Sequence, residues 1–172
     1  MRQSVVVATL AAALLAACSS QPPAPEQKPA PPQPKAEAPA PKTEAIDPWG
    51  VAALKDPKSI LSKRSVFFDF DQYVIKDEFK PLVEAHAKFL VHNPAIKMLI
   101  QGNADERGSR EYNLALGQKR AEAVKKALVL QGGKDAQVEA VSLGEEKPRC
   151  SEHSEECWAQ NRRDDMLYSG EY

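Results

Sequence analysis

Hydrophobic and polar positions change period several times along this 172-residue chain, and each change predicts an element. Residues 66–70 alternate, with Val66, Phe68 and Phe70 on one face, and their β-branched and aromatic character predicts a strand ending at Asp71. From residue 77 to residue 92 the spacing becomes helical. Phe79, Leu82, Val83, Phe89 and Leu90 share one stripe, Asp77 is placed to cap it, Pro81 must sit near the first turn, and Asn93-Pro94 is the stop. Residues 96–102 alternate again, Ile96, Met98 and Ile100 against Lys97 and Gln101, and empty into the polar loop 103–108. Ser109 can cap a second helix whose buried row is Leu114, Gly117, Ala121, Val124 and Leu128 and whose stop is Gly132-Gly133. Gly117 and Ala121 would let that helix approach a sheet closely. Residues 138–144 predict a third strand, its polar alternates leaving one sheet face wet, and residues 162–168 a weaker fourth. The order is βαβαββ. It predicts an α+β two-layer sandwich, a mixed four-stranded sheet with helices on one face and the first three strands parallel.

Composition changes this picture mainly at the N-terminal end. With 23 basic against 24 acidic side chains, bulk charge points to no polyanionic partner, and nucleic acid is not expected. Ten of the 14 prolines lie between Pro22 and Pro48, among Ala, Gln, Glu and Lys, so residues 18–48 read as a disordered or extended tether after a removable segment. That segment, residues 1–17, carries Arg2 and then an apolar run the length of a signal-peptide core, too short to span a bilayer. It ends Leu15-Ala16-Ala17-Cys18, which resembles a bacterial lipobox; an ordinary secretory signal is the alternative. The resemblance implies cleavage before Cys18, which would carry N-palmitoyl and S-diacylglycerol chains. Ser19 after it implies sorting to the inner leaflet of the outer membrane, with the domain facing the periplasm. The remaining residues, 49–172 with a core of about 60–168, are enough for one globular domain.

With Cys18 lipidated, Cys150 and Cys157 are left as an even pair in an oxidising compartment, which favours a disulfide; two free thiols, or a Cys-His cluster with His153, are the alternatives. No metal site is expected, because one cluster of ligands within eight residues lacks a second half. Candidate binding chemistry lies beyond the carboxyl ends of the strands, where Asp71 and Asp105 fall. Asn113 and Arg120, two helical turns apart, should project from one face of the second helix near the Asp105 loop. A carboxylate facing a guanidinium suits a small zwitterion such as an amino-acid headgroup, Asp105 taking the ammonium and Arg120 the carboxylate. The competing reading is a structural salt bridge, Asp105 pairing with Arg120 or with Arg107, and spacing alone leaves both open.

Six segments then occur in one order: Val66-Phe67-Phe68-Asp69-Phe70-Asp71; Gly102-Asn103-Ala104-Asp105-Glu106-Arg107-Gly108; Glu111-Tyr112-Asn113; Gly117-Gln118-Lys119-Arg120-Ala121; Gly144-Glu145-Glu146-Lys147-Pro148; and Asn161-Arg162-Arg163. This series resembles the signature of the OmpA-like peptidoglycan-binding domain over roughly residues 60–168. The resemblance implies non-covalent binding of the diaminopimelate residue of the peptidoglycan stem peptide by Asp105 and Arg120, with Phe70, Asp71 and Leu116 against the ligand and Asn113 beside it. It implies further partners, TolB and the other components of its envelope system, with TolB competing for an overlapping surface, and a role in envelope integrity and cell division. Three departures stand out. Asn103 replaces a common His, the family pattern lacks the cysteine pair, and Asp164-Asp165 replace a more apolar start to the last strand, which predicts a weak edge strand.

Enzymatic readings lack parts. Asp69-Phe70-Asp71 resembles the nucleophile motif of haloacid dehalogenase-like phosphatases, but Tyr73 stands where that motif expects Thr or Val. No Ser or Cys has a visible base among His86, His92 and His153, and His86 is expected at a helix surface or boundary. An envelope protein-interaction module without wall binding is the remaining alternative.

Overall fold

A computed structural model describes residues 47–171, so the signal segment, the lipidation site at Cys18 and residues 18–46 of the tether lie outside the described residues. Four strands, β1 (Ser65–Phe67), β2 (Met98–Asn103), β3 (Val138–Gly144) and β4 (Arg163–Tyr168), form one sheet in the order β1-β4-β2-β3. The helices α1 (Lys80–His92), α2 (Arg110–Leu130) and α3 (Glu155–Asn161) intervene. β2 and β3 are parallel, and β4 runs antiparallel to both of its neighbours, so β1, β2 and β3 point the same way, as the crossovers predict.

Register shows why the helices share one face. Met98 pairs with Tyr168, Ile100 with Met166 and Gly102 with Asp164, so these six side-chain positions lie on one side of the sheet. Phe89 of α1 packs edge-on against Tyr168 at 4.9 Å, and Gly117 and Ala121 of α2 sit over Gly102. Both helices therefore cover that side. Here the two glycines are required by space: a Cβ at Gly102 would fall 2.0 Å from the Gly117 carbonyl oxygen. Leu61, Val66, Phe89, Leu90, Ile100, Val124, Leu128 and Met166 are fully enclosed in the resulting core.

Several local expectations differ from what folds. The first ladder stops at Phe67, and the backbone turns at Asp69–Gln72, so Phe68 stays buried while Phe70 swings out to 55 % exposure. Asp77 does not cap α1; it opens a single 3-10 turn, Asp77–Phe79, and pairs with Lys80. Ser109 does cap α2, its Oγ accepting from the Tyr112 N–H. The buried row of α2 holds Gly117, Ala121, Val124 and Leu128 but not Leu114, which is 50 % exposed; Asn113, Leu116 and Arg120 are buried instead. α3 was not visible in the pattern, because two helical turns offer too few positions for a period to register.

Two corrections bear on the chemistry. His86 is not a boundary residue: it is wholly buried, its Nε2–H donating to the Lys63 carbonyl at 2.8 Å and its Nδ1 accepting from the Tyr168 hydroxyl at 2.6 Å. β4 is not an edge strand. It lies between β1 and β2, and Asp164, paired with Val66 and Gly102, is enclosed on the helix-covered side. Burial pushes its carboxyl well above the usual range, against the pull of the Arg120 charge.

Candidate functional site

The carboxyl ends of β1 and β2 and the start of α2 enclose a cavity of about 190 Å³. Phe70, Asp71, Asp105, Asn113, Leu116 and Arg120 all line it, so the residues expected at the site do come together. Sequence reasoning missed Arg107 and Tyr112 as wall residues, although both stand inside the quoted motifs.

Each side chain is placed by its element. Arg120 leaves α2 into the protein and is fully buried, its guanidinium 5.1 Å from the centre of the Phe68 ring. Nε donates to the Gln72 carbonyl at 2.7 Å, one terminal nitrogen to the Asn103 carbonyl at 2.8 Å and the other to the Asp69 carbonyl at 3.1 Å. One side chain thus ties the turn after β1 to the end of β2. Each terminal nitrogen carries a second N–H that these three bonds leave over. Burial lowers the Arg120 pKa to about 10, with Asp164 and Asp105 pulling the other way, so the side chain stays charged at neutral pH.

Asp105 does not pair with Arg120. Oδ1 accepts from the backbone N–H and the Nε of Arg107, both at 3.1 Å, and Oδ2 from Arg107 at 2.6 Å and from Arg162 at 3.1 Å. Burial pushes this carboxyl up, but the Arg107 and Arg162 hydrogen bonds prevail and hold it below the usual carboxylate range. The salt-bridge reading is therefore realised toward Arg107, with Arg162 as an unforeseen second partner. A carboxylate offers about four lone-pair sites, and here protein donors occupy all four.

Asp71 differs. It is exposed, adopts φ 55 and accepts from the Tyr112 hydroxyl, which leaves acceptor positions facing the cavity. Asp tolerates this left-handed conformation better than most residues, and the turn after β1 needs it. Asn113 is buried and donates to Glu145. Asn103 orders its loop through Nδ2, which donates to the Gln101 and Arg163 carbonyls at 3.0 and 3.2 Å.

The wall at Arg107 is supported from behind by α3. Arg107 lies between two rings, 4.1 Å from the centre of Phe70 and 4.1 Å from that of Trp158. The Trp158 indole N–H donates to Glu106 at 2.7 Å, and Glu155 pairs with Arg162 at 2.6 Å and with Arg107 at 3.4 Å. Cys150 and Cys157 are joined as a disulfide, with Cα atoms 5.2 Å apart. The site therefore presents one free carboxylate at Asp71, one saturated carboxylate at Asp105, two guanidinium groups and an aromatic rim. That is binding chemistry for a small zwitterion. No group of metal ligands occurs among the described residues.

The chain is similar to known proteins over the same region. The OmpA family matches residues 67–162. The peptidoglycan-associated lipoprotein of Pasteurella multocida is 48 % identical over 104 residues, 60 % of this chain and 69 % of that protein. Its counterpart in Haemophilus influenzae is 46 % identical over 104 residues, 60 % of this chain and 68 % of that protein. The crystal structure of the peptidoglycan-associated lipoprotein from Burkholderia pseudomallei superposes with a TM-score of 0.67 at 59 % identity, covering 67 % of this chain and 98 % of that one. The C-terminal domain of Helicobacter pylori MotB superposes at 0.57 with 21 % identity, over 62 % of this chain and 84 % of that one, and shares the fold.

Proposed function

The chain belongs to the OmpA family, and on that premise we propose that it is a non-enzymatic, outer-membrane-anchored lipoprotein that grips peptidoglycan non-covalently. The ligand group is the diaminopimelate residue of the stem peptide. Its side-chain end is a zwitterion: the carboxylate is received by the spare N–H groups of Arg120, and the ammonium by Asp71 and the negative side of Asp105. Phe70 and Leu116 pack against the methylene chain that leads to the carbon bearing both charges. The observation that carries this reading is the single cavity in which Asp71, Asp105 and Arg120 meet. Charge-assisted hydrogen bonds at both ends of a short rigid site give selectivity for a zwitterion over either charge alone.

The lipid on Cys18 and the proline-rich residues up to 48 would hold the domain in the periplasm within reach of the wall, tethering the outer membrane to it. TolB and the other Tol-Pal components are the proposed protein partners, with TolB and the wall competing for one surface during envelope constriction and cell division. A second reading, an envelope protein-interaction module without direct wall binding, is favoured by one observation: Asp105 is already saturated by Arg107 and Arg162.

Co-sedimentation of the detergent-solubilised full chain with purified sacculi separates the two. Asp105→Asn and Arg120→Lys, checked for folding by thermal melts, should each weaken binding at least tenfold, about 1.4 kcal/mol. Unchanged sedimentation of both folded variants would favour the second reading.

A further inference from the structure

The disulfide segment encloses more than a surface loop. Between Cys150 and Cys157 the chain turns into α3, and Asn161 at the end of that helix closes the excursion: its Oδ1 accepts from the backbone N–H groups of Arg149 and Cys150 at 2.8 and 3.1 Å, and its Nδ2 donates to the Cys150 carbonyl at 2.7 Å. Cys157 is buried, and the first turn of α3 is capped by Ser154, whose Oγ accepts from the Cys157 N–H at 3.3 Å. The staple and the cap therefore fix the position and rotation of α3. Two of its side chains then contact residues that form or hold the binding site. Trp158 lies on Arg107 and donates to Glu106, while Glu155 bonds both arginines that hold Asp105.

We propose that the Cys150–Cys157 disulfide and Trp158 act as positioning residues for ligand binding, setting the place of Arg107, and through it of Phe70 and Asp105, at the cavity wall. Arg107 is 30 % exposed on its side chain and is held by two ring faces and by the carboxylates of Asp105 and, more loosely, Glu155. A guanidinium on a surface loses such a place readily once one ring is withdrawn, because the remaining contacts leave its long side chain free to sample other rotamers. Phe70 would then lose the group stacked on it, and Asp105 two of its four hydrogen bonds.

This rests on the binding reading given above, and its test is arranged so that the two fail separately. Affinity of the detergent-solubilised full chain for a diaminopimelate-containing muropeptide is measured for four variants: Cys150→Ser with Cys157→Ser, Trp158→Ala, Trp158→Phe and Arg107→Ala. Well below the melting temperature of each, the cysteine pair and Trp158→Ala should weaken binding three- to tenfold, and Trp158→Phe, which keeps a ring over Arg107, should restore most of it. Added to Arg107→Ala, the cysteine or Trp158→Ala changes should have no further effect. Undiminished affinity of Trp158→Ala, or full additivity with Arg107→Ala, overturns the proposal. If the unmodified chain fails to bind the muropeptide, the binding reading itself falls, and the positioning role falls with it.

Discussion

His86 shows how a single residue can carry both structure and pH dependence. It sits fully buried between the Lys63 carbonyl and the Tyr168 hydroxyl, and burial lowers its pKa to about 4 from the ordinary 6.5, with the Lys63 contact resisting and the Arg64 charge assisting the shift. The unfolded chain takes up a proton near pH 6.5 and the folded one resists until about 4. The neutral ring thus contributes stability that is complete above pH 6.5 and is lost as pH falls toward 4, about 3 kcal/mol in total. Denaturant titrations at pH 7, 5.5 and 4 should show this loss in the unmodified chain and not in His86→Gln, and parallel pH profiles of the two would contradict it. Spacing alone puts His86 on the apolar stripe of α1, four residues from Leu82 and Leu90 and three from Val83 and Phe89, which agrees with its burial, but nothing local marks its partners, which come from residues 63 and 168. Asp105 and Arg120 were legible as site residues for the opposite reason: their motifs are local. Their lack of contact with each other was not: Arg107 takes three of the four Asp105 hydrogen bonds, and Arg162, which takes the fourth, arrives from the far end of the chain.

At the scale of elements, the contact between α2 and β2 decides whether the site forms. Arg120 reaches the Asn103 carbonyl only because Gly117 lies against Gly102. Gly102→Ala would place a methyl within the Gly117 backbone, so helix and strand must separate; about 2–4 kcal/mol of stability should be lost. Thermal melts check the loss, and an unchanged melting temperature would show that the helix can slide without cost. The close approach was readable in advance from the small residues of α2. The central place of β4 was not. Its two aspartates read as an edge strand, yet Asp165 faces Arg149 and Arg163 on the open side, and Asp164 is enclosed beneath Arg120. The order of strands depends on long-range pairing between residues about 60 to 100 apart, for which the local pattern holds no signal.

For the whole molecule, the crossovers and the single helical layer followed from alternation and spacing, and they place the ends of β1 and β2 and the first half of α2 around one cavity. What the pattern did not contain is the second layer of support, the helix α3; the disulfide that fixes it was expected from the even pair Cys150 and Cys157. The central claim concerns what the cavity selects. It is tested most directly on the ligand side, without altering the protein: calorimetric affinity of the full chain for a stem peptide ending its third residue in diaminopimelate, compared with the same peptide carrying lysine there, which lacks only the side-chain carboxylate. A zwitterion site built on Arg120 predicts binding at least tenfold tighter for the diaminopimelate peptide, about 1.4 kcal/mol. Equal affinities for the two peptides would contradict it.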